Sequence, residues 1–71
     1  MRIQKIVWDG NNKQWVAMYV FGKIEDGEGF QKKADAIEYA KYEFPNFIHV
    51  EDKKGNQIYT IERNGYKWKR L

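Results

Sequence analysis

Residues 14–21, QWVAMYVF, are apolar on both faces. Side chains alternate along an extended chain, so Trp15, Ala17, Tyr19 and Phe21 point one way and Val16, Met18 and Val20 the other. A strand of this kind predicts a position inside a sheet, with neighbours on both edges and cover above and below. In a chain of 71 residues that demand leaves room for one domain only. Small domains are often stapled by disulfides or metals. Here there is no cysteine, and His49 is the only histidine, so neither a disulfide framework nor a metal site is expected. The core has to come from packing, for which an aromatic content of 17% is well suited.

The rest of the chain supplies the neighbours. Residues 2–9, RIQKIVWD, read as a strand and DGNNK as the turn after it. GKIEDGEG, residues 22–29, is a glycine-rich acidic turn, with a short strand closing at Phe30. Residues 32–44 carry the helix, with Ala34, Ile37, Ala40, Lys41 and Phe44 as its inner stripe and Pro45-Asn46 as its stop. Tyr39 and Tyr42 are then expected on the outer, acidic helix face. FIHVED and QIYTIER, residues 47–52 and 57–63, are two further strands joined by KKGN. Asn64-Gly65 is a two-residue hairpin signal that makes the last strand from YKWKRL. In that register Arg63 faces Tyr66, Glu62 faces Lys67 and Ile61 faces Trp68. The expected fold is α+β: a small antiparallel sheet of about five strands, one helix packed on one face, in the order β-β-(β)-α-β-β-β.

One helix covers one face of a sheet. The aliphatic set Val16, Met18, Val20, Ile48, Val50 and Ile58 suits an alanine-rich helix. The aromatic set, Trp15, Tyr19, Phe21, Phe47, Tyr59, Tyr66 and Trp68 with Ile61, is then expected on the uncovered face. That face can close on itself, serve as a protein interface or homodimer contact, or stack nucleic-acid bases.

The formal charge of +3 is unevenly spread. Residues 63–71 carry four basic residues and no acid, while residues 1–62 hold nine basic and ten acidic ones. A basic face across the whole domain, as nucleic-acid binders show, is absent. No apolar run approaches membrane-spanning length and no signal-peptide pattern opens the chain, so a cytoplasmic protein without a membrane partner is expected. There is no serine, and Thr60 is the only threonine, which excludes the usual nucleophile constellations. No phosphate loop or dinucleotide fingerprint occurs, and the EDGEG spacing does not fit a calcium loop. No catalytic residue, cofactor or metal is expected.

Two resemblances rest on QWVAMYV, a turn, and GFQKKADAIEYAK. The first is to the arm-site DNA-binding domain of phage tyrosine integrases, matched at Trp15, Ala17, Gly29, Phe30, Lys33 and Ala36. Asp35 replaces a Glu of that pattern, Lys32 replaces its helix-capping Thr, and the turn that is basic in that group is acidic here. The second is to a family of small bacterial and phage domains of unknown function. It is carried by Trp15, Ala17 where the pattern has valine, Phe30 to Ile37, Val50 and Gly55, over roughly residues 15 to 60. It implies the α+β fold. The element order also looks like that of small phage inhibitors of host RNA polymerase, and the richness in Lys, Ile, Asn, Tyr and Phe with a single Leu resembles low-GC bacteria or their phages. These readings lead to a non-enzymatic module that docks on a protein, through Tyr39 and Tyr42 of the helix or Trp15 and Tyr19 of the aromatic face. The alternative is nucleic-acid binding through Arg63, Lys67, Lys69 and Arg70, with Tyr66 or Trp68 stacking on bases.

Overall fold

A computed structural model describes residues 1–71. Strands β1 (Ile3–Asp9) and β2 (Gln14–Tyr19) form a hairpin, followed by a short 3-10 turn (Ile24–Asp26) and β3 (Glu28–Phe30). Helix α1 (Lys33–Tyr42) leads to β4 (Phe47–Glu51), β5 (Gln57–Asn64) and β6 (Lys67–Arg70). All six strands belong to one sheet in the order β3-β2-β1-β4-β5-β6, with α1 on one face. This is the expected α+β class, with β2 inside the sheet as its two apolar faces require. No helix is long and apolar enough to cross a membrane.

The sheet departs from the expectation at its centre, where β1 and β4 are parallel. The reason is geometric. β1, β2 and β3 reverse direction twice, so β3 runs with β1. The helix carries the chain back across the sheet, and β4 starts again in the direction of β1. β3-α1-β4 is thus a crossover that passes over two strands, the connection parallel strands need.

Alternation decides which residues the helix meets. Ile6, Trp15, Ala17, Ile48, Val50 and Ile61 form one buried cluster with Ala36 and Ala40. Ile6, Ile48, Val50, Ala36 and Ala40 have no exposed surface. Each isoleucine or valine side chain buried this completely is worth ~1.5–3 kcal/mol. Trp8, Phe30, Ile37, Tyr39, Tyr59 and Trp68 pack around the cluster. The aromatic residues of β2, β5 and β6 therefore lie on the helix side, the reverse of the face expected for them. Val7, Val16 and Met18 form a smaller cluster on the other side. Gly27 presses there so closely that a Cβ would stand 2.5 Å from Val16 Cγ1, which only glycine allows. Phe47 and Ile58 alternate onto the far face, Phe47 opposite Ile3. Of the aromatic set, Tyr19, Phe21 and Tyr66 remain exposed.

The helix is also rotated from its expected setting. Its closest line to the sheet is Ala36–Ala40, and Ala34 is exposed. Only methyl-sized side chains fit between the helix axis and the β1–β4 pair, so Ile37 and Tyr39 are spread to the flanks. Lys32 caps the helix in an extended conformation with no side-chain hydrogen bond. Lys32→Thr is therefore expected to raise stability by ~0.5–1 kcal/mol, read by chemical denaturation.

Two hairpin turns share one device. Asp9 Oδ1 accepts the amides of Asn11 and Asn12 at 3.1 and 3.3 Å, and its Oδ2 accepts Asn12 Nδ2 at 2.9 Å. Asp52 Oδ1 accepts the amides of Lys54 and Asn56, both at 2.9 Å, with Asn56 Nδ2 at 3.4 Å from Oδ2. The Asn12 side chain above all holds the Asp9 carboxyl below its ordinary 3.8, and the Asn56 amide does the same for Asp52. A depressed folded-state pKa contributes stability above the unfolded value and loses it as pH falls through the folded one. Asp9→Asn and Asp52→Asn are expected to lower the melting temperature at neutral pH. The gap to the parent should narrow as the pH is taken well below 3.8, in melts run across that range.

Candidate binding surface

The helix ends against the C-terminal hairpin. Glu43 caps it, and Phe44 follows with φ +54°, in the left-handed region. Its amide donates to Lys41 O at 2.9 Å, and Pro45 prevents another turn. A bulky residue in this conformation costs roughly 1–2 kcal/mol. Its ring recovers that amount. The Arg63 guanidinium lies 4.1 Å from the ring centre, Tyr66 is 5.7 Å away, and Trp68 stands edge-on at 6.4 Å. Contacts of these kinds are worth about 0.5–1.5 kcal/mol each. Strain held in place by surrounding contacts is a recurrent mark of functional surfaces.

Arg63 fixes the junction. Its Nε donates to Pro45 O at 3.0 Å and its guanidinium to Gly65 O at 3.2 Å. The hairpin loop is Gly65-Tyr66, with Asn64 opposite Lys67, Arg63 opposite Trp68, Glu62 opposite Lys69 and Ile61 opposite Arg70. The expected loop was Asn64-Gly65. Gly65 takes φ +66° at the first central position, as a type II′ turn requires, and Tyr66 keeps a negative φ. Moving the loop by one residue shifts each pairing by two positions, so every side chain keeps its face. Trp68 and Ile61 stay together, and Glu62 meets Lys69 in place of Lys67.

Between the end of α1 and β6 lies a groove lined by Glu38, Lys41, Tyr42, Phe44 and Trp68, with a volume of about 460 Å³. Tyr42 is 89% and Tyr66 91% exposed, and Phe44 40%. β6 is an outer strand of the sheet. The amide of Leu71 donates inward to Thr60 O. Antiparallel alternation then turns the amides of Lys67 and Lys69 inward and leaves those of Trp68 and Arg70 on the free edge.

The residues singled out from the sequence fall into distinct places. Trp15 is buried under the helix, with Lys33 Nζ 5.2 Å from its ring centre and Trp8 edge-on. Tyr39 is half-buried against Phe30, its hydroxyl pKa pushed up by burial and then by the charges of Glu28 and Glu43. The expected Tyr39/Tyr42 surface pair is broken, and Tyr42 alone is free. Tyr19 is partly exposed and accepts a hydrogen bond from Arg2 at 2.7 Å. Arg63 is occupied by the helix junction and Arg70 lies 3.8 Å from the Tyr59 ring centre. Lys67 and Lys69 are exposed but alternate onto the face opposite Trp68. His49 Nδ1 lies 3.0 Å from Thr60 Oγ1. Phe44 was assigned to the helix core. Its place just before a proline, at a helix stop, was the available sign of something else.

Comparison with family models, curated proteins and solved structures finds no match. The surfaces therefore speak through their chemistry alone. Tyr39→Ala, which empties space beside Phe30 and the alanine line, is expected to destabilise by about 2–4 kcal/mol. Tyr42→Ala should stay within ~0.5 kcal/mol of the parent. Urea denaturation of both variants checks the assignment.

Proposed function

We propose that the chain is a non-enzymatic binding module that captures an extended, acidic segment of a partner protein along β6. The observation that carries this reading is the meeting of helix end and C-terminal hairpin, which sets an aromatic groove beside a free strand edge. A peptide pairing with the outward amides of Trp68 and Arg70 gains main-chain hydrogen bonds. On the groove side it places every second side chain toward Tyr42, Phe44 and Trp68. Lys67 and Lys69 flank its other side, so acidic residues at the alternate positions are favoured. Three of the four basic residues of residues 63–71, Lys67, Lys69 and Arg70, lie on this strand. Composition and the family resemblance support a phage or mobile-element protein acting on a host factor in the cytoplasm.

The arrangement speaks against a nucleic-acid site. A base stacked on Trp68 would have Lys67 and Lys69 behind the sheet, and Arg63 and Arg70 are held by their own aromatic partners. Titration with a heptapeptide alternating Glu with Leu, followed by tryptophan fluorescence and hydrogen exchange, tests the reading. Saturable binding with new protection at the Trp68 and Arg70 amides is expected. Phe44→Gly relieves the backbone strain and opens the groove. It should weaken binding about tenfold while leaving stability within ~1 kcal/mol. An equally tight response to a Lys-Leu peptide, or a response only to single-stranded oligonucleotide that fades with salt, would sink the proposal.

A further inference from the structure

At the other end of the sheet order from β6, a polar pocket of about 130 Å³ opens between the end of β2, the start of β1, α1 and loop residues 22–27. Gln4, Tyr39, Lys23 and the carboxylates of Asp26, Glu28 and Glu43 are among its walls. Gln4 is the anomaly. It stands on the helix side of β1, in line with Ile6 and Trp8, where an aliphatic residue would pack without loss. It is 3% exposed, and its Oε1 has no hydrogen-bond partner within the protein. A buried acceptor left unpaired is unfavourable unless a donor arrives from outside.

The surrounding charge indicates which donor. Asp26, Glu28 and Glu43 share the lining with Lys23, and Arg2 lies 3.7 Å from Glu43 and donates to Tyr19. The balance is negative, and the raised Tyr39 hydroxyl pKa reflects the same field after burial. The acidic side chains do not gather into a metal-ligand cluster. An ammonium ion holds its hydration shell more tightly than a guanidinium, whose planar fork of five donors can serve a carboxylate and a neighbouring amide oxygen together.

We infer that this pocket binds a guanidinium group, which donates to Gln4 Oε1 and to the carboxylates of Glu28 and Glu43. The group can come from an arginine side chain of a second protein or from a free small guanidine. The inference does not rest on the β6 reading. Isotope-labelled protein titrated with methylguanidinium, with the tripeptide Gly-Arg-Gly and with methylammonium tests it by nuclear magnetic resonance. Saturable shifts of the Gln4 side-chain amide, Gly27 and Tyr39 are expected with both guanidines, and about tenfold weaker ones with methylammonium. A tripeptide tighter than methylguanidinium identifies a protein arginine as the source, and equal affinity a small molecule. Gln4→Leu should abolish the response. Glu28→Gln, at an exposed position that does not threaten folding, should weaken it about fivefold. No saturable shift with either guanidine would mean that the pocket holds only water, and the same response in Glu28→Gln as in the parent, or an equal response to methylammonium, would mean that it does not select a guanidinium through these groups; each overturns the inference.

Discussion

The contact between the alanine line of α1 and the β1–β4 pair holds the rest of the structure in place. Ala36 and Ala40 lie against Ile6, Ile48 and Val50, all without exposed surface. This contact lets a ten-residue helix cross two strands and deliver β4 beside β1. A larger side chain at either alanine would lift the helix from the sheet, and overpacking of this kind costs about 1–3 kcal/mol. The parallel pair has no turn of its own to define it. Its register, Ile3 opposite Phe47 through Ile6 opposite Val50, is set by where the helix releases the chain.

Where the helix releases the chain also shapes the groove beside β6. Ten residues of helix end beside β6, and the chain must turn into β4 at once. Asn46 is tied on both sides, its amide donating to Arg2 O and its carbonyl accepting from the Arg63 amide. Phe44 and Pro45 are left to make the reversal in two residues. The left-handed conformation of Phe44 is therefore a consequence of the crossover, and it places an aromatic ring where a glycine would be easier. A glycine would make the same turn but leave Arg63 without a ring to lie on and the groove without its floor.

How much of this could be read in the sequence follows from what side-chain period encodes. Alternation showed that Trp15, Ala17 and Tyr19 share a face, as do Ile61 and Trp68, and the structure keeps those groupings. It could not show which face a helix would choose, because β2 is apolar on both. The helix carries alanine at 34, 36 and 40, so its spacing alone did not fix its rotation. Ala40 was read as inward and is, but Ala36 replaces Ala34 beside it, because clearance above the β1–β4 pair, a tertiary property, decided between them. That one rotation buried Tyr39 and left Tyr42 exposed, dividing a pair that looked equivalent. The Asp9 turn lay in a stretch read as a turn, DGNNK, since Asp and Asn compete locally for backbone amides, whereas Asp52 was read as the end of the strand FIHVED, one residue before KKGN. The hairpin signal at Asn64-Gly65 was right in kind and one residue off in place, because Gly65 serves equally as second residue of one turn type and first of another.

The C-terminal charge shows why a local motif is a poor guide to a surface. YKWKRL interleaves basic and aromatic residues, the pattern expected where bases stack beside phosphates. In a strand that interleaving separates them, since neighbours in sequence point to opposite faces. Lys67 and Lys69 go one way and Trp68 the other, while Arg63 and Arg70 are spent on Phe44 and Tyr59 within the protein. What residues 63–71 present is a strand edge with an aromatic side and a positive side. Lysine on such an edge also discourages pairing with a second copy of the same strand, because the like charges would meet. The charge that weighs against self-association is thus set by the same alternation that puts Trp68 on the helix side, with both lysines on the opposite face.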